Sequence, residues 1–151
     1  MRSRLPLAAI FLAILLASCG GRPGVTVKVA GEPVVMVLAS TSEGTACSSS
    51  IGDAFPQNIP LTTIRGSIPL IIHVEADQGA TEIRGFIYDL DAPSPSGGPS
   101  EEFTLPGRSG SYEPRSIVAA RAYQVLVNVR WSFVVTQGEV SHLFKFRVEP
   151  G

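Results

Sequence analysis

The chain has 151 residues, of which 44% are hydrophobic and 17% are charged, with 12 Lys and Arg against 13 Asp and Glu. A chain of this length is enough for one domain with a modest core and too short for two of ordinary size. The absence of a basic excess argues against nucleic acid as a partner.

The first segment has the layout of an export signal. Arg2 and Arg4 precede a run from Leu5 to Leu16 that is apolar at every position except Pro6. About a dozen apolar residues are too few to cross a bilayer as a mature helix, whereas a charged start, a short apolar core and small residues before a cleavage point define a secretory signal peptide. We therefore expect residues 1–18 to be removed, which leaves 10 bases against 13 acids.

The cleavage region ends in a cysteine. Leu16-Ala17-Ser18-Cys19 resembles the lipobox of bacterial lipoproteins, in which the thiol receives a diacylglycerol, cleavage occurs before it and the new amino terminus is usually acylated. The resemblance implies an exported protein anchored through Cys19 to the cell membrane or the outer membrane. Each buried methylene contributes about 0.8 kcal/mol, so several chains hold firmly where one binds only marginally. The alternative is an ordinary signal peptide cut near Ser18.

Residues 19–24 are expected to form a short tether, and the pattern after it is typical of strands. Val25 to Val29 alternates apolar and polar residues, and the apolar run from Val34 to Ala39 predicts a buried strand. Residues 40–60 are rich in small and polar types and predict a long loop, which is either functional or conceals a short element. Cys47 lies in this loop and has no partner if Cys19 is lipidated, so it is either buried or available for an intermolecular bridge.

The middle of the chain predicts three more strands. Residues 67–76 place alternate apolar side chains on one face, and residues 81–90 follow with Gly85 as the position of a bulge. A Pro-, Ser- and Gly-rich loop over residues 91–100 separates them from a short strand at residues 101–107.

The clearest pattern is a long β-hairpin near the end of the chain. Two alternating runs are joined by a predicted turn at Gln137-Gly138. The apolar face comprises Tyr123, Val125, Val127, Val129, Trp131 and Phe133 from the first run, and Val140, Phe144, Phe146 and Val148 from the second. About seven short strands with turn signals between them predict an all-β chain, with residues 25–151 forming one antiparallel β-sandwich. The Tyr-x-Val-x-Val-x-Val run from Tyr123 resembles the penultimate strand of immunoglobulin-like and fibronectin type III domains, which implies an Ig-like sandwich.

Two residue sets raise the question of a metal ion. His73, His142, Cys47 and Met36 are the ligand types of a blue-copper site, but such sites group the Cys, the second His and the Met on one late loop, which argues against copper here.

Calcium is the second candidate metal. Asp89 and Asp91 alternate beside a loop, with Glu101 and Glu102 across it, and hard oxygen ligands in loops suit this ion. A D-x-D-x-D-G motif is absent, and the alternative is that these acids are simply solvated.

Enzyme motifs are absent from the sequence, so a catalytic role is not expected. A triad could still be assembled from a Ser, an acid, and either His73 or His142. The alternation places His142 on the dry face near a strand end, where a hydrogen-bonded histidine at the edge of the core is the commoner explanation.

A partner surface is the positive prediction. In an Ig-like sandwich we expect the strand at residues 67–76 and the last two strands to lie side by side in one sheet. Their outward positions would be Ile71, His73 and Glu75, then Leu126, Asn128 and Arg130, then Leu143, Lys145 and Arg147. An apolar centre with a charged rim is typical of a partner surface. The alternatives are scattered exposed aliphatic side chains or coverage by the 40–60 loop.

Three functions follow in order of preference. The first is a non-catalytic, lipid-anchored envelope protein that binds another envelope protein or a second copy of itself, with no cofactor beyond the acyl groups on Cys19. The second is a binder of a small molecule, a glycan or Ca²⁺ through the loops at residues 40–60 and 91–100. The third is a hydrolase with an unrecognised triad.

Overall fold

The computed structural model of the chain describes residues 23–45, 49–53, 56, 58–77, 79–92, 98–133 and 136–151. The predictions for the signal peptide, for lipidation of Cys19 and for Cys47 lie outside these residues. Within the described ranges, no helix is long and apolar enough to cross a bilayer.

Eleven strands are described, and part of the region predicted as a loop forms two of them. They are β1 (Val25–Val29), β2 (Glu32–Pro33), β3 (Val37–Thr45), β4 (Ser49–Asp53), β5 (Leu61–Arg65), β6 (Ile72–Ala76), β7 (Ala80–Asp89), β8 (Glu101–Pro106), β9 (Ser109–Tyr112), β10 (Ala122–Phe133) and β11 (Thr136–Glu149). Strands β3 and β4 pair as an antiparallel hairpin in the 40–60 region, so a continuous loop there is wrong and the alternative of a concealed element is confirmed.

The strands form two sheets, which confirms the predicted all-β sandwich. The small sheet has the order β2-β1-β6-β9, and the large sheet has the order β4-β3-β11-β10-β7-β8. The pairing is antiparallel except for β5, which runs parallel to β11 along residues 145–149, while β3 occupies the same edge of β11 along residues 136–143. The division of β1, β6 and β9 from β7, β10 and β11 follows the pattern of an Ig-like sandwich.

The core lies between the two sheets and is built from the inward positions of each strand. The predicted dry face of the C-terminal hairpin is confirmed for its central residues, because Tyr123 to Val129 and Phe144 to Val148 bury every second side chain. Phe133 is an exception at 48% exposed, since β10 has 12 residues and extends past the short strands of the small sheet. The predicted buried run at residues 34–39 is wrong in part, because Val35 is 56% exposed between β2 and β3.

The buried Tyr123 fastens the connection that precedes β10. Its hydroxyl accepts a hydrogen bond from the Val118 N–H at 2.8 Å and lies 3.4 Å from the Val118 carbonyl oxygen and 3.5 Å from that of Ser116. Burial raises the pKa of this hydroxyl, so it stays protonated. A tyrosine near the start of the penultimate strand that bonds to the backbone a few residues upstream is the tyrosine corner of Ig-like sandwiches.

Two glycines have roles that differ from those predicted. Gln137 and Gly138 pair with Ser132 and Trp131 inside the β10–β11 ladder, so the predicted turn there is wrong. A Cβ on Gly138 would lie 2.2 Å from the carbonyl oxygen of Ser42. A glycine is therefore needed at this position, because the backbone of β3 approaches too closely for a side chain.

Gly85 does not mark a bulge, since it pairs regularly with Val127 and Phe103. The described irregularity between β7 and β10 falls at Arg130 and Trp131. The ring of Phe103 lies over Gly85, where a Cβ would be 2.0 Å from the ring atom Cζ. The same ring stacks on Tyr112 at a centroid distance of 4.6 Å. The glycine therefore provides the space that an inward-facing aromatic ring needs.

The substitution Gly85→Ala is expected to lower the free energy of unfolding by about 1–3 kcal/mol, because the buried ring of Phe103 has to move. Urea denaturation measures this change. The matched control is Gly44→Ala in β3, where a Cβ would meet no atom within 4 Å. Equal effects of the two substitutions would contradict the proposed role of Gly85.

Candidate functional site

The predicted partner residues lie on two different sheets. Ile71, His73 and Glu75 lie in or next to β6 of the small sheet, whereas the other six lie on β10 and β11 of the large sheet. The prediction that they share one sheet is therefore wrong. The physical reason is that β6 pairs with β1 along one edge and with β9 along the other, so no edge remains for β11.

The outward face of the large sheet carries a line of apolar side chains across four strands. Leu126 on β10 lies directly opposite Leu143 on β11 and Phe86 on β7, and Leu143 lies opposite Val37 on β3. Directly opposed residues point to the same face with Cβ atoms about 4.5–5.5 Å apart. We call Val37, Leu143, Leu126 and Phe86 the apolar row; each of the four is half-buried.

Polar side chains flank the apolar row on both sides, although Ser141 among them is buried. On one side, Arg84, Asn128 and Ser141 occupy successive strands in the same register. On the other side, Gln124 lies between Tyr88 and Lys145. The β3–β4 hairpin extends the edge of this sheet instead of lying over its face, so the described part of the 40–60 region does not cover the apolar row.

Several charged side chains of this face form ion pairs with one another. Arg130 Nε donates to Glu139 Oε2 at 3.1 Å and its Nη1 lies 3.6 Å from Glu82 Oε1, which also accepts from Arg84 Nε at 2.7 Å. At the other end of the face, Arg147 Nη2 lies 3.9 Å from Asp91 Oδ2. Exposed ion pairs contribute about 0–1 kcal/mol each, so these pairs orient the rim more than they stabilise the fold.

The two aspartates predicted as calcium ligands have partners within the chain. Asp89 forms an ion pair with Arg121 and accepts from the Asp91 N–H at 3.0 Å, while Asp91 accepts from the Ala122 N–H at 2.8 Å. These contacts fasten the end of β7 to the start of β10. Among the described residues, no group of three potential metal-ligating side chains is present.

Glu101, which was part of the same acidic set, bridges the two sheets. Its carboxylate accepts from the Tyr112 hydroxyl at 2.7 Å, the Arg115 N–H at 3.0 Å and the Ser116 N–H at 2.8 Å. Burial alone would raise the pKa of Glu101, but these hydrogen bonds outweigh it and lower the pKa to about 2. The hydrogen bond that the Tyr112 hydroxyl donates to Glu101 raises the pKa of Tyr112.

His73 is paired with a serine that the sequence did not single out. Its Nδ1 lies 2.9 Å from Ser111 Oγ on the neighbouring strand β9, on the outward face of the small sheet. A cleft of about 610 Å³ beside it is lined by Lys28, Arg65 and Ile71, among others. A hydrolytic triad also needs an acid on the second ring nitrogen and donors for an oxyanion. The described hydrogen bonds of His73 include no carboxylate.

His142 lies on the inner side of β11, as predicted, opposite Val127 and Leu38. The predicted hydrogen bond is not found, since its Nδ1 is shielded from solvent and has no partner in the described part of the chain. Burial lowers the pKa of His142. The side chain therefore behaves as a neutral residue at the edge of the core.

Comparisons with protein-family models, with curated proteins and with solved structures gave no match for this chain.

The substitution Glu101→Gln is expected to lower the free energy of unfolding at neutral pH by about 1–2 kcal/mol, since hydrogen bonds to a charged acceptor are replaced by weaker ones. Because the pKa of Glu101 is lowered from 4.5 to about 2, its contribution is complete above about pH 4.5 and is lost as the pH falls towards 2. Denaturation over this pH range should show the two proteins converging. The neighbouring exposed Glu102→Gln is the control, and a parallel offset at every pH would contradict the assignment.

The substitution His142→Gln is expected to reduce the dependence of the free energy of unfolding on pH below about pH 6.5. Because burial lowers the pKa of His142 from 6.5, the unfolded chain binds a proton before the folded chain does. The stability that the neutral ring provides is complete above about pH 6.5 and declines as the pH falls below that value. The slope of unfolding free energy against pH measures the effect, with His73→Gln as the control. An unchanged slope in His142→Gln would refute the prediction.

Proposed function

We propose that this chain is a non-catalytic, lipid-anchored protein of a bacterial cell envelope, and that the outward face of its large sheet binds another envelope protein. The observation that carries the proposal is the apolar row, in which four apolar side chains from four strands line up on the water side of a sheet. The support for the anchor is the resemblance of Leu16-Ala17-Ser18-Cys19 to a lipobox.

The apolar row departs from the usual chemistry of such a face. An antiparallel sheet with one side in water normally presents polar side chains there. The rows on either side of the apolar row obey this rule, and the row itself does not. Contiguous apolar side chains with a polar rim mark surfaces that contact another protein, where the central residues provide most of the binding energy.

The rim favours a protein as the partner. Its charges are of both signs, because the outward face carries Glu82, Glu102 and Glu139 as well as Arg84 and Arg130. A polyanion such as nucleic acid, or an anionic membrane, would be met by a surface of one sign. A mixed rim around an apolar centre is complementary to another folded protein.

Acids and bases are unevenly distributed along the sequence, since residues 75–102 contain seven acids and one base whereas residues 108–147 contain six bases and two acids. The contacts within the chain explain this distribution. The earlier, acidic part supplies Asp89 and Asp91, and the later, basic part supplies their partners Arg121 and Arg147. These contacts are the intramolecular complementarity expected of neighbouring strands. They remove the charge-based reason to favour head-to-tail association of copies, so we assign the face to a different protein.

The substitution Leu126→Asp is expected to weaken the association of the protein with its partner by tenfold or more, since it places an unpaired charge at the apolar centre of the contact and about 1.4 kcal/mol accounts for each factor of ten. The assay is cross-linking in intact cells, followed by quantification of the hetero-conjugate by mass spectrometry.

The matched control is Ile71→Asp, which places the same charge on the outward face of the small sheet, where Ile71 is 50% exposed. Denaturation of both variants checks that they remain folded, and Leu143→Asp provides a second test of the apolar row. Equal yields from Leu126→Asp and the parent, or a conjugate formed only between two copies of this chain, would refute the proposal.

A further inference from the structure

The start of the domain is fixed to one end of the sandwich. The Gly24 N–H donates to Asp77 Oδ2 at 2.8 Å, and the Asp77 N–H donates to the Gly24 carbonyl at 3.0 Å. The same end contains the last residues of β10, because the Ser132 N–H donates to the Gly79 carbonyl at 2.8 Å. It also contains the connection from β8 to β9, through the Arg108 carbonyl, which accepts from the Ala76 N–H at 2.7 Å.

The chain between this end and the predicted lipidation point is short. Pro23 follows Cys19 by four residues, and four residues span at most about 14 Å when fully extended. A diacylglycerol on Cys19 would hold that residue at the surface of the bilayer. The end of the sandwich that contains Gly24, five residues after Cys19, would then lie within about 18 Å of the lipid headgroups. This step rests on the proposed lipid anchor.

Two exposed side chains of this end suit a bilayer surface. Phe133, the last residue of β10, is 48% exposed. It lies beside Gly79, because a Cβ built on Gly79 would be 3.8 Å from the Cβ of Phe133. Exposed apolar rings are unfavourable in water, and Phe is among the side chains that interfacial segments bury at the boundary between headgroups and acyl chains. Arg108, on the neighbouring β8–β9 connection, is exposed and carries a planar cation that matches phosphate groups.

We infer that the end of the sandwich bearing Phe133 and Arg108 docks on the lipid surface, with the ring of Phe133 in the interfacial region. The strands then stand upright on the membrane. The apolar row faces sideways, parallel to the membrane plane, and the opposite end with Val118 points away from it.

The experiment uses the full-length, acylated protein reconstituted into phosphatidylcholine and phosphatidylglycerol vesicles whose upper acyl chains are brominated. Phe133→Trp introduces a reporter at the docking end. Val118→Trp is the matched control, because Val118 is 46% exposed and its N–H bonds to Tyr123, about 33 Å along β10 from Phe133. The parent, whose single Trp131 is buried, supplies the emission to subtract.

The expected result is quenching of the added emission in Phe133→Trp and none in Val118→Trp, with an emission shift to shorter wavelength only in the former. Vesicle flotation and the mass of the N-terminal peptide report the anchor separately. Protein that floats and shows equal quenching at both positions overturns the docking but leaves the anchor. Protein that neither floats nor carries acyl groups overturns both.

Discussion

The register between β10 and β11 is the constraint on which both faces of the large sheet depend. It places Val125 opposite Phe144 inside the core and Leu126 opposite Leu143 outside it. Because side chains alternate along a strand, a shift of one residue would exchange the two faces. The core would then receive Leu126 with charged neighbours such as Arg130, and valines and phenylalanines would contact water. The energy of the core therefore also determines the alignment of the apolar row.

Hydrogen bonds at the start of β10 reinforce this register from outside the core. The hydroxyl of Tyr123 holds the preceding connection, and Asp91 accepts from the first backbone N–H of the strand, that of Ala122. Glu101 holds the neighbouring backbone at Arg115 and ties β8 to β9. Acids that suggest an ion site in the sequence are thus used to satisfy backbone donors, since loops next to strand ends leave many N–H groups without a ladder partner.

The sequence predicts periodicity well and pairing poorly. Alternation identifies the inward residues of β10 and β11, and with them Leu126 and Leu143 as outward. It does not identify Phe86 as their neighbour, because that requires the register of β7 against β10. It also misplaces His73, because the sheet that β6 joins depends on which strand edges remain free. The Ser-, Thr- and Gly-rich β3 resembles a loop in composition, yet it forms a strand because the edge of β11 supplies its hydrogen bonds.

The position of the start of the domain relative to the apolar row gives the proposed anchor a further consequence. Gly24 lies at the end of a strand, whereas the apolar row faces perpendicular to the strands. An anchor at the strand ends therefore leaves this face open towards neighbours in the same membrane. Four half-buried side chains provide too little apolar area for tight binding between freely diffusing proteins, since association must offset the loss of translational and rotational freedom. Confinement to one surface removes part of that cost and raises the effective concentration of the partner, so a small lateral contact becomes sufficient.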